Sequence, residues 1–185
     1  MTALQGLRDE LGVRPGHRVL LNGASGGVGT LAVQIAKALD AEVIAVCSHR
    51  NVDRMHELGA DRVVDYEKKD PASLRNLDAV FDIYGSLPWP RARASLRRNG
   101  RYCTTIPKLG NIARGMGRKV GLHRAALVVV KSRRSDLALL ARWVNEGKLR
   151  PVIDRVLPLS QCADGHRRLE SRRTQGKVVI EIGAA

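Results

Sequence analysis

The sequence has few aromatic residues, few cysteines and no long apolar run. Phe, Trp and Tyr make up 3% of the 185 residues, so little material exists for the aromatic platform on which single-stranded nucleic acid stacks. No apolar run approaches the roughly 18–20 residues of a membrane-spanning helix. The N-terminus lacks the basic stretch and apolar core of a signal peptide. With 44% apolar residues, the chain is expected to be globular.

The cysteines exclude two kinds of covalent framework. Cys47, Cys103 and Cys162 are far apart and odd in number. They provide neither the paired pattern of a disulfide-rich domain nor the Cys-x-x-Cys spacing of a metal site. We therefore predict free thiols, a reducing cytoplasmic location and no metal ligands.

Positive charge exceeds negative charge by a wide margin. The chain has 32 Lys and Arg against 18 Asp and Glu, which gives a formal net charge of +14. Such a charge attracts nucleic acid, anionic membranes and phosphorylated small molecules. The basic residues concentrate in three separate segments, 91–101, 114–134 and 167–177. An arginine-rich solvated surface accounts for this pattern, and nucleic-acid binding remains the weaker alternative.

Short apolar segments alternate with segments of helical periodicity. A strand is predicted at 18–22, and a glycine-rich turn and a helix over 27–39 follow it without a spacer. Further strands are predicted at 42–47, 62–65, 78–84, 101–106 and 125–130, and further helices at 51–58, 88–98 and 135–147. Because the strands are apolar throughout, we expect an α/β fold with a doubly wound parallel sheet. A strand–helix–strand extension over 152–182 completes the predicted fold.

The segment Gly23–Gly29 reads Gly-Ala-Ser-Gly-Gly-Val-Gly and lies between a predicted strand and a predicted helix. A helix N-terminus presents free N–H groups, and glycine lets the backbone approach a pyrophosphate. The spacing is Gly-x-x-Gly-x-x-Gly, so the position of the segment carries the prediction more than the spacing does. A tight turn without a ligand is the alternative, but these glycines and the serine exceed what a turn needs.

The end of the second predicted strand bears on which dinucleotide would bind. An Asp or Glu about 20 residues past the glycines would hold the ribose 2′-hydroxyl of NAD. The strand instead runs into Cys47-Ser48-His49-Arg50. Ser48 can donate a hydrogen bond and Arg50 can pair with a 2′-phosphate, which favours NADP(H). The alternative is that Arg50 only contacts solvent.

No side chain is predicted to transfer a proton. Asp65 and Asp82 stand near the ends of predicted strands, where a solvated position accounts for both. Four histidines have no carboxylate or second ligand at a useful spacing: His17, His56, His123 and His166.

Several segments, in one order along nearly the whole chain, share a family pattern. They are Thr2-Ala-Leu-Gln-Gly-Leu, Asn22-Gly-Ala-Ser-Gly-Gly-Val-Gly29, Glu57-Leu-Gly-Ala-Asp-Arg-Val-Val-Asp-Tyr66, Gly147-Lys-Leu-Arg-Pro-Val-Ile-Asp154, the stretch from Pro158-Leu to His166-Arg-Arg-Leu-Glu, and Gly176-Lys-Val-Val-Ile180. In these segments the chain resembles the medium-chain dehydrogenase/reductase superfamily, in particular its zinc-independent quinone oxidoreductase (zeta-crystallin-like) branch. The resemblance implies an NADP-binding Rossmann domain at 1–151. It also implies a segment at 152–185 that in the family packs on an N-terminal catalytic domain.

The resemblance implies cofactor contacts residue by residue. By the family pattern, one group would line the pyrophosphate: Gly23, Ser25, Gly26, Gly27, Val28 and Gly29. Ser48, Arg50 and Tyr66 would surround the adenosine 2′-phosphate and the adenine. Gly85 and Ile106 would approach the nicotinamide.

The resemblance also implies an activity and partners. The expected chemistry is hydride transfer from NADPH to a small-molecule quinone or activated enone. Family members carry a catalytic domain before the segment that resembles Thr2–Leu7, so we expect this chain to bind NADPH with negligible turnover. A homodimer through the strand 124–131 is expected, and the apolar residues of 152–157 would be left open. A truncated or regulatory NADPH-binding module is the alternative to an enzyme.

Overall fold

A six-stranded parallel sheet organises the computed structural model, which describes residues 1–107, 125–171 and 173–183. In chain order its strands are β1 (Arg18–Asn22), β2 (Glu42–Cys47), β3 (Arg62–Asp65), β4 (Leu77–Asp82), β5 (Leu96–Thr104) and β6 (Ala125–Leu127). Their order across the sheet is β3-β2-β1-β4-β5-β6. The chain therefore winds outward in one direction from β1 and in the other from β4, which confirms the predicted doubly wound α/β fold.

Helices and a small second sheet surround these strands. The described helices are α1 (Thr2–Gln5, continued by a π-helical turn at Gly6–Glu10), α2 (Gly29–Ala38), α3 (Val52–Glu57), α4 (Trp89–Ala92), α5 (Arg134–Asn145) and α6 (Cys162–Glu170). β7 (Ile153–Pro158) and β8 (Lys177–Glu181) pair in parallel as a two-stranded sheet, with α6 between them in the chain. Among the described helices, none has the length and hydropathy to cross a membrane.

The two faces of the large sheet pack into separate apolar clusters. Val19 and Leu21 of β1 pack with helical residues such as Leu4 and Ile35, whereas Leu20 between them packs in a second cluster that contains Tyr102 and Val80. Both faces are therefore buried, which explains why the strands are apolar at successive positions.

The predicted helix over 88–98 is wrong in extent. α4 is a single short helix that starts after Pro88, and β5 already begins at Leu96. Leu77 of β4 pairs with Leu96, and a bulge follows before Ala79 pairs with Arg101. Pairing with β4 therefore overrides the local helical periodicity of this segment.

The predicted edge strand 124–131 is also too long. Position 124 lies outside the described residues, and β6 covers three residues, Ala125–Leu127. Its partner β5 ends at Thr104, whose carbonyl accepts one further bond from the Val128 N–H at 2.9 Å. Beyond that point the main chain of Lys131 bonds the side chain of Gln5 in place of a strand. β6 does lie at one end of the described sheet order, and dimerisation there stays a prediction.

Two buried glutamines fasten helices to distant segments. Gln5 Nε2 donates to the Asp136 carboxylate and to the Lys131 carbonyl, both at 2.7 Å. Gln34 on α2 makes a reciprocal pair with Arg150, with its Nε2 donating to the carbonyl and its Oε1 accepting from the N–H. These bonds connect residues more than a hundred positions apart, and periodicity in the sequence does not reveal them.

The C-terminal extension departs from expectation at two residues, because Val152 is buried and Leu157 is half-buried. Val152 is 8% exposed, whereas Ile153 and Val156 are 44% and 57% exposed. The Val152 carbonyl accepts from the Lys177 N–H at 2.8 Å, so the start of β8 holds this part of the chain in place. Ile153 and Val156 are left open, as expected, and the division of the chain at residue 151 stays a prediction.

Removing the Gln5 side chain should destabilise the fold. In Gln5→Ala the Asp136 carboxylate and the Lys131 main chain lose their shared partner inside the protein. We expect the free energy of unfolding to fall by about 1–3 kcal/mol. Urea denaturation of Gln5→Ala beside Gln161→Ala, an exposed matched substitution, measures this effect. Equal losses in the two variants would contradict the assigned role of Gln5.

The extension should contribute a pH-dependent stability. The Arg168 guanidinium binds both Asp154 oxygens, at 2.8 and 2.9 Å, and holds the pKa of this buried carboxyl below its usual range. Because the folded pKa is depressed, the stabilisation is complete above the unfolded value of about 3.9 and is lost as pH falls through the lower folded value. Asp154→Asn should lower the melting temperature at pH 7 and reduce the acid-dependent loss of stability below about pH 4. Thermal melts across that range test the pair, and a parallel loss in both proteins at acid pH would argue against it.

Candidate functional site

A cleft of about 690 Å³ lies at the carboxyl ends of β1, β2, β3 and β4. It spans the point at which the strand order reverses, between β1 and β4. In open parallel sheets the crevice at this point is the usual place for a ligand, because connections leave the strands in opposite directions. The cleft is therefore the candidate binding site.

The cleft contains about half of the predicted site residues. Those that line it are Gly23, Ser25, Gly26, Ser48, Arg50 and Tyr66. The others lie outside its lining: Gly27, Val28, Gly29, Gly85 and Ile106. Their part in cofactor binding stays a prediction. For Gly27, Gly29 and Gly85, close contacts with neighbouring atoms explain why the position is a glycine.

The glycines of the turn have different structural roles. Gly23 has a φ of +86°, a left-handed conformation, and a Cβ there would also lie 2.7 Å from the Tyr84 Cβ. A Cβ on Gly29 would overlap the Gly23 carbonyl oxygen, so α2 can begin this close to β1 only with glycine. A Cβ on Gly26 would have 3.8 Å to its nearest neighbour, which leaves open space on the cleft side. Gly23 and Gly29 therefore build the turn, and Gly26 keeps its surface accessible.

The C-terminal extension packs directly on this turn, which the sequence analysis did not predict. The Gly176 N–H donates to the Ser25 carbonyl at 3.1 Å, and Gly26 and Gly176 form a parallel bridge. A Cβ on Gly27 would lie 2.9 Å from the Gly176 carbonyl oxygen. Thr174, two residues earlier, lines the cleft. The extension thus supplies part of the cleft wall, and Gly27 permits its close approach.

The loop after β2 brings a hydroxyl and a cation to the same cleft. Ser48 is 7% exposed, and its Oγ accepts a hydrogen bond from Asn51 Nδ2 at 3.0 Å. Arg50 is exposed, and no carboxylate of the described residues lies within ion-pair distance of its guanidinium. Tyr66 follows β3 and is 55% exposed, so its ring is open to a ligand. No acid from the end of β2 enters this part of the site.

The rim of the cleft carries an excess of positive charge. Lys68 and Lys69 line the cleft with Arg50, beside the acid Glu67, and the Lys68 ammonium lies 4.0 Å from the Asp65 carboxylate. Arg91 also lines it, but both oxygens of Asp70 accept from its Nη2 at 2.8 Å. The Ala72 N–H and this guanidinium lower the pKa of Asp70, so the pair stays ionised and neutral overall. The positive excess suits a phosphorylated ligand.

Asp82 has a structural role that the sequence analysis did not predict. It is 1% exposed, which corrects the expectation of a solvated strand end. Its carboxylate accepts from Asn22 Nδ2 at 2.6 Å, from the Gly85 and Leu87 N–H groups at 2.8 and 3.3 Å, and from the Tyr102 hydroxyl at 3.2 Å. Burial and this carboxylate raise the pKa of Tyr102. Asp82 thereby fixes the loop after β4, and an acid directly before a Gly-containing turn was the available signal.

Gly85 and Ile106 lie together beside the ends of β4 and β5. Gly85 has a φ of +88°, and a Cβ there would come within 2.7 Å of Ile106 Cγ1. The predicted pair is therefore adjacent in space, although it lies outside the lining of the cleft.

Cys47 lines the cleft as a buried thiol with a raised pKa. Burial, with a smaller contribution from the Asp65 carboxylate, raises the pKa of this thiol to about 11. All three cysteines are free thiols, as predicted. Within the described residues, no group of three or more His, Cys, Asp and Glu side chains is arranged to hold a metal ion.

The chain is similar to known oxidoreductases over nearly its whole length. The family model described as "Zinc-binding dehydrogenase" matches residues 58–180. A chloroplast envelope quinone oxidoreductase homolog of Arabidopsis thaliana is 31% identical over 98% of this chain and 59% of its own. A mitochondrial NAD(P)H oxidoreductase of Homo sapiens is 35% identical over 90% of this chain and 48% of its own. The chain thus spans about half the length of these relatives.

A solved structure shares the fold as well. The quinone oxidoreductase from Coxiella burnetii superposes with a TM-score of 0.86 and 31% identity, over 98% of this chain and 57% of that one. The family model covers most of the chain. The fold of the chain agrees with that of the solved quinone oxidoreductase. The chain belongs to the zinc-binding dehydrogenase family of the medium-chain dehydrogenase/reductase superfamily, whose oxidoreductases use a nicotinamide cofactor.

Proposed function

We propose that this chain binds NADPH in the cleft and presents it for hydride transfer to a quinone or activated enone. One observation carries the proposal: a single cleft at the reversal of strand order contains both the glycine turn and the Ser48–Arg50 loop. A dinucleotide needs a pyrophosphate site and an adenosine site a short distance apart, and these two segments supply them.

The pyrophosphate would bind at the turn before α2. The helix begins at Gly29, so its positive dipole end faces the turn. Gly26 leaves space there for a close backbone contact. The Gly176 N–H donates to the Ser25 carbonyl and holds Ser25 in place. This part of the site would serve NADH and NADPH alike, because both carry the same pyrophosphate.

The choice of NADPH rests on the adenosine end. An arginine without a carboxylate partner in the described residues pairs well with a 2′-phosphate, and a serine hydroxyl adds a donor. The exposed ring of Tyr66 is available to the adenine. Lys68 and Lys69 add positive charge near the same position. A phosphate dianion in this cleft would therefore meet donors and cations at Ser48 and Arg50.

The bound cofactor supplies the hydride, and the protein supplies position and shielding. The loop after β4, held by Asp82, and the adjacent Gly85–Ile106 pair would bound the nicotinamide side. The relatives named for quinones favour a quinone as the acceptor. We further propose a cytoplasmic location, and a homodimer through β6, which lies at the edge of the described sheet. An NADPH-binding module without turnover is the alternative function, and nucleic-acid binding by the basic surface is a second.

Arg50→Ala should reduce the preference for NADPH over NADH. Loss of a direct phosphate contact should narrow the difference in binding free energy by about 1–3 kcal/mol, while NADH binding changes little. Fluorescence titration with both cofactors measures the two dissociation constants. Arg93→Ala removes the same charge from an exposed position outside the cleft lining and serves as the matched control. Equal affinity of the parent protein for both cofactors would sink the proposal.

The 185-residue chain alone should bind NADPH yet reduce quinones poorly. Hydride transfer needs the acceptor held about 3–3.5 Å from the nicotinamide, and such positioning supplies roughly 7–11 kcal/mol of the barrier. The relatives that carry the quinone names are nearly twice as long, so we attribute acceptor binding to their other half. NADPH oxidation with a panel of quinones and enones tests this expectation. A kcat/KM of about 10⁴ M⁻¹s⁻¹ or more would refute it.

A further inference from the structure

Ser48 and Asn51 form a buried pair at the edge of the cleft. Both side chains line the cleft, and they are 7% and 3% exposed. Ser48 precedes the short 3₁₀ turn His49–Asn51 and Asn51 ends it, and the Asn51 N–H donates to the Ser48 carbonyl at 2.9 Å. The backbone therefore fixes the two side chains relative to each other.

The hydrogen bond between the two side chains has a defined direction. Asn51 Nδ2 donates to Ser48 Oγ at 3.0 Å. An amide nitrogen only donates, so the hydroxyl oxygen is the acceptor and its own proton remains available. Within the described residues, no acceptor receives that proton. Ser48 is thus left as a hydrogen-bond donor beside the cleft.

The Asn51 side chain does not serve the helix that follows it. Asn51 is the N-cap of α3, yet its side chain makes no capping hydrogen bond. Its Oδ1 is buried and has no hydrogen-bond partner among the described residues. Asparagine at an N-cap ordinarily accepts from a helix N–H, and buried polar atoms are ordinarily bonded. Because Oδ1 is enclosed by the protein, the Ser48 proton is the group of this pair that remains for a ligand in the cleft.

We propose that Asn51 is a positioning residue for cofactor choice, which acts by turning the Ser48 proton toward the 2′-phosphate of NADPH. This inference rests on the proposed function. Phosphate oxygens accept hydrogen bonds, so they need a donor at Ser48. The 2′-hydroxyl of NADH can donate or accept, so it gains less from a fixed donor. Arg50 supplies charge, and Asn51 supplies the direction of the hydrogen bond.

Asn51→Asp tests this role with a side chain of the same shape. A carboxylate only accepts, so Ser48 must donate to it and turn its lone pairs toward the ligand. We expect the NADPH-to-NADH affinity ratio of the full chain, measured by fluorescence titration, to fall about ten-fold or more. A merely structural role would weaken both cofactors in parallel, and that result would overturn the proposal.

Two comparisons separate the direction of the hydrogen bond from the added charge. Asn99→Asp introduces the same charge at an exposed position of β5 outside the cleft lining and should leave the ratio unchanged. In a Ser48→Ala background, Asn51→Asp should change the ratio much less than it does in the parent, because Asn51 acts through Ser48. An equal change in both backgrounds would mean that charge alone is responsible and would overturn the proposal.

A second variant covers the case in which Asn51→Asp does not fold. Asn51→Ala removes the donor without adding charge. It should lower the NADPH-to-NADH affinity ratio several-fold when Ser48 is present, and it should leave the ratio unchanged in a Ser48→Ala background. An unchanged ratio in both would overturn the positioning role. A parent protein without NADPH preference would overturn this inference together with the proposed function. A preference that is lost in Arg50→Ala but kept in both Asn51 variants would overturn the positioning role alone.

Discussion

The close approach of backbone segments at the glycine turn is the constraint on which the site depends. Gly29 lies against the Gly23 carbonyl, so α2 starts directly at the end of β1 and its N-terminus faces the reversal of strand order. On the other side, Gly27 lets Gly176 approach and bond the Ser25 carbonyl. A side chain at either position would displace a helix from the sheet or the extension from the turn. The turn is therefore held from two directions, and the surface that remains open, at Gly26, faces the cleft.

The opposite wall depends on a buried carboxylate. Among the described residues no ion pair involves Asp82, and burying a carboxylate is costly unless hydrogen-bond donors surround it. Asn22, the Gly85 and Leu87 N–H groups and Tyr102 supply those donors. Because Asn22 belongs to β1 and Gly85 to the loop after β4, the carboxylate links the two strands at which the sheet order reverses. The same group that is expensive to bury thus sets the spacing between the glycine turn and the loop that faces it.

The sequence predicted the features that depend on a local pattern, and it did not predict those that depend on contacts between distant residues. The turn Gly23–Gly29 and the Ser48–Arg50 loop are contiguous, and their position after apolar strands places them at one edge of a parallel sheet. Gln5 and Gly176 carry no such signal, because their partners Lys131 and Ser25 are more than a hundred residues away. The segment 88–98 was misjudged for a related reason: its helical spacing is genuine, but pairing with β4 decides its conformation. The position of Asp82 before a Gly-containing turn could have predicted its role. The sequence analysis expected solvent around its carboxylate, but four hydrogen-bond donors surround it.

The C-terminal extension connects the cleft to an open apolar surface. At one end of the two-stranded sheet, Gly176 bonds the glycine turn, and the Asp154–Arg168 pair holds the segment that leads to it through the Gln175 N–H. On the same sheet, Ile153 and Val156 are exposed. A surface that covers these side chains would be attached, through a few hydrogen bonds, to the backbone of the proposed pyrophosphate site. Cofactor affinity and whatever packs on the extension are therefore expected to be coupled, because both act on the position of Gly176 against the turn.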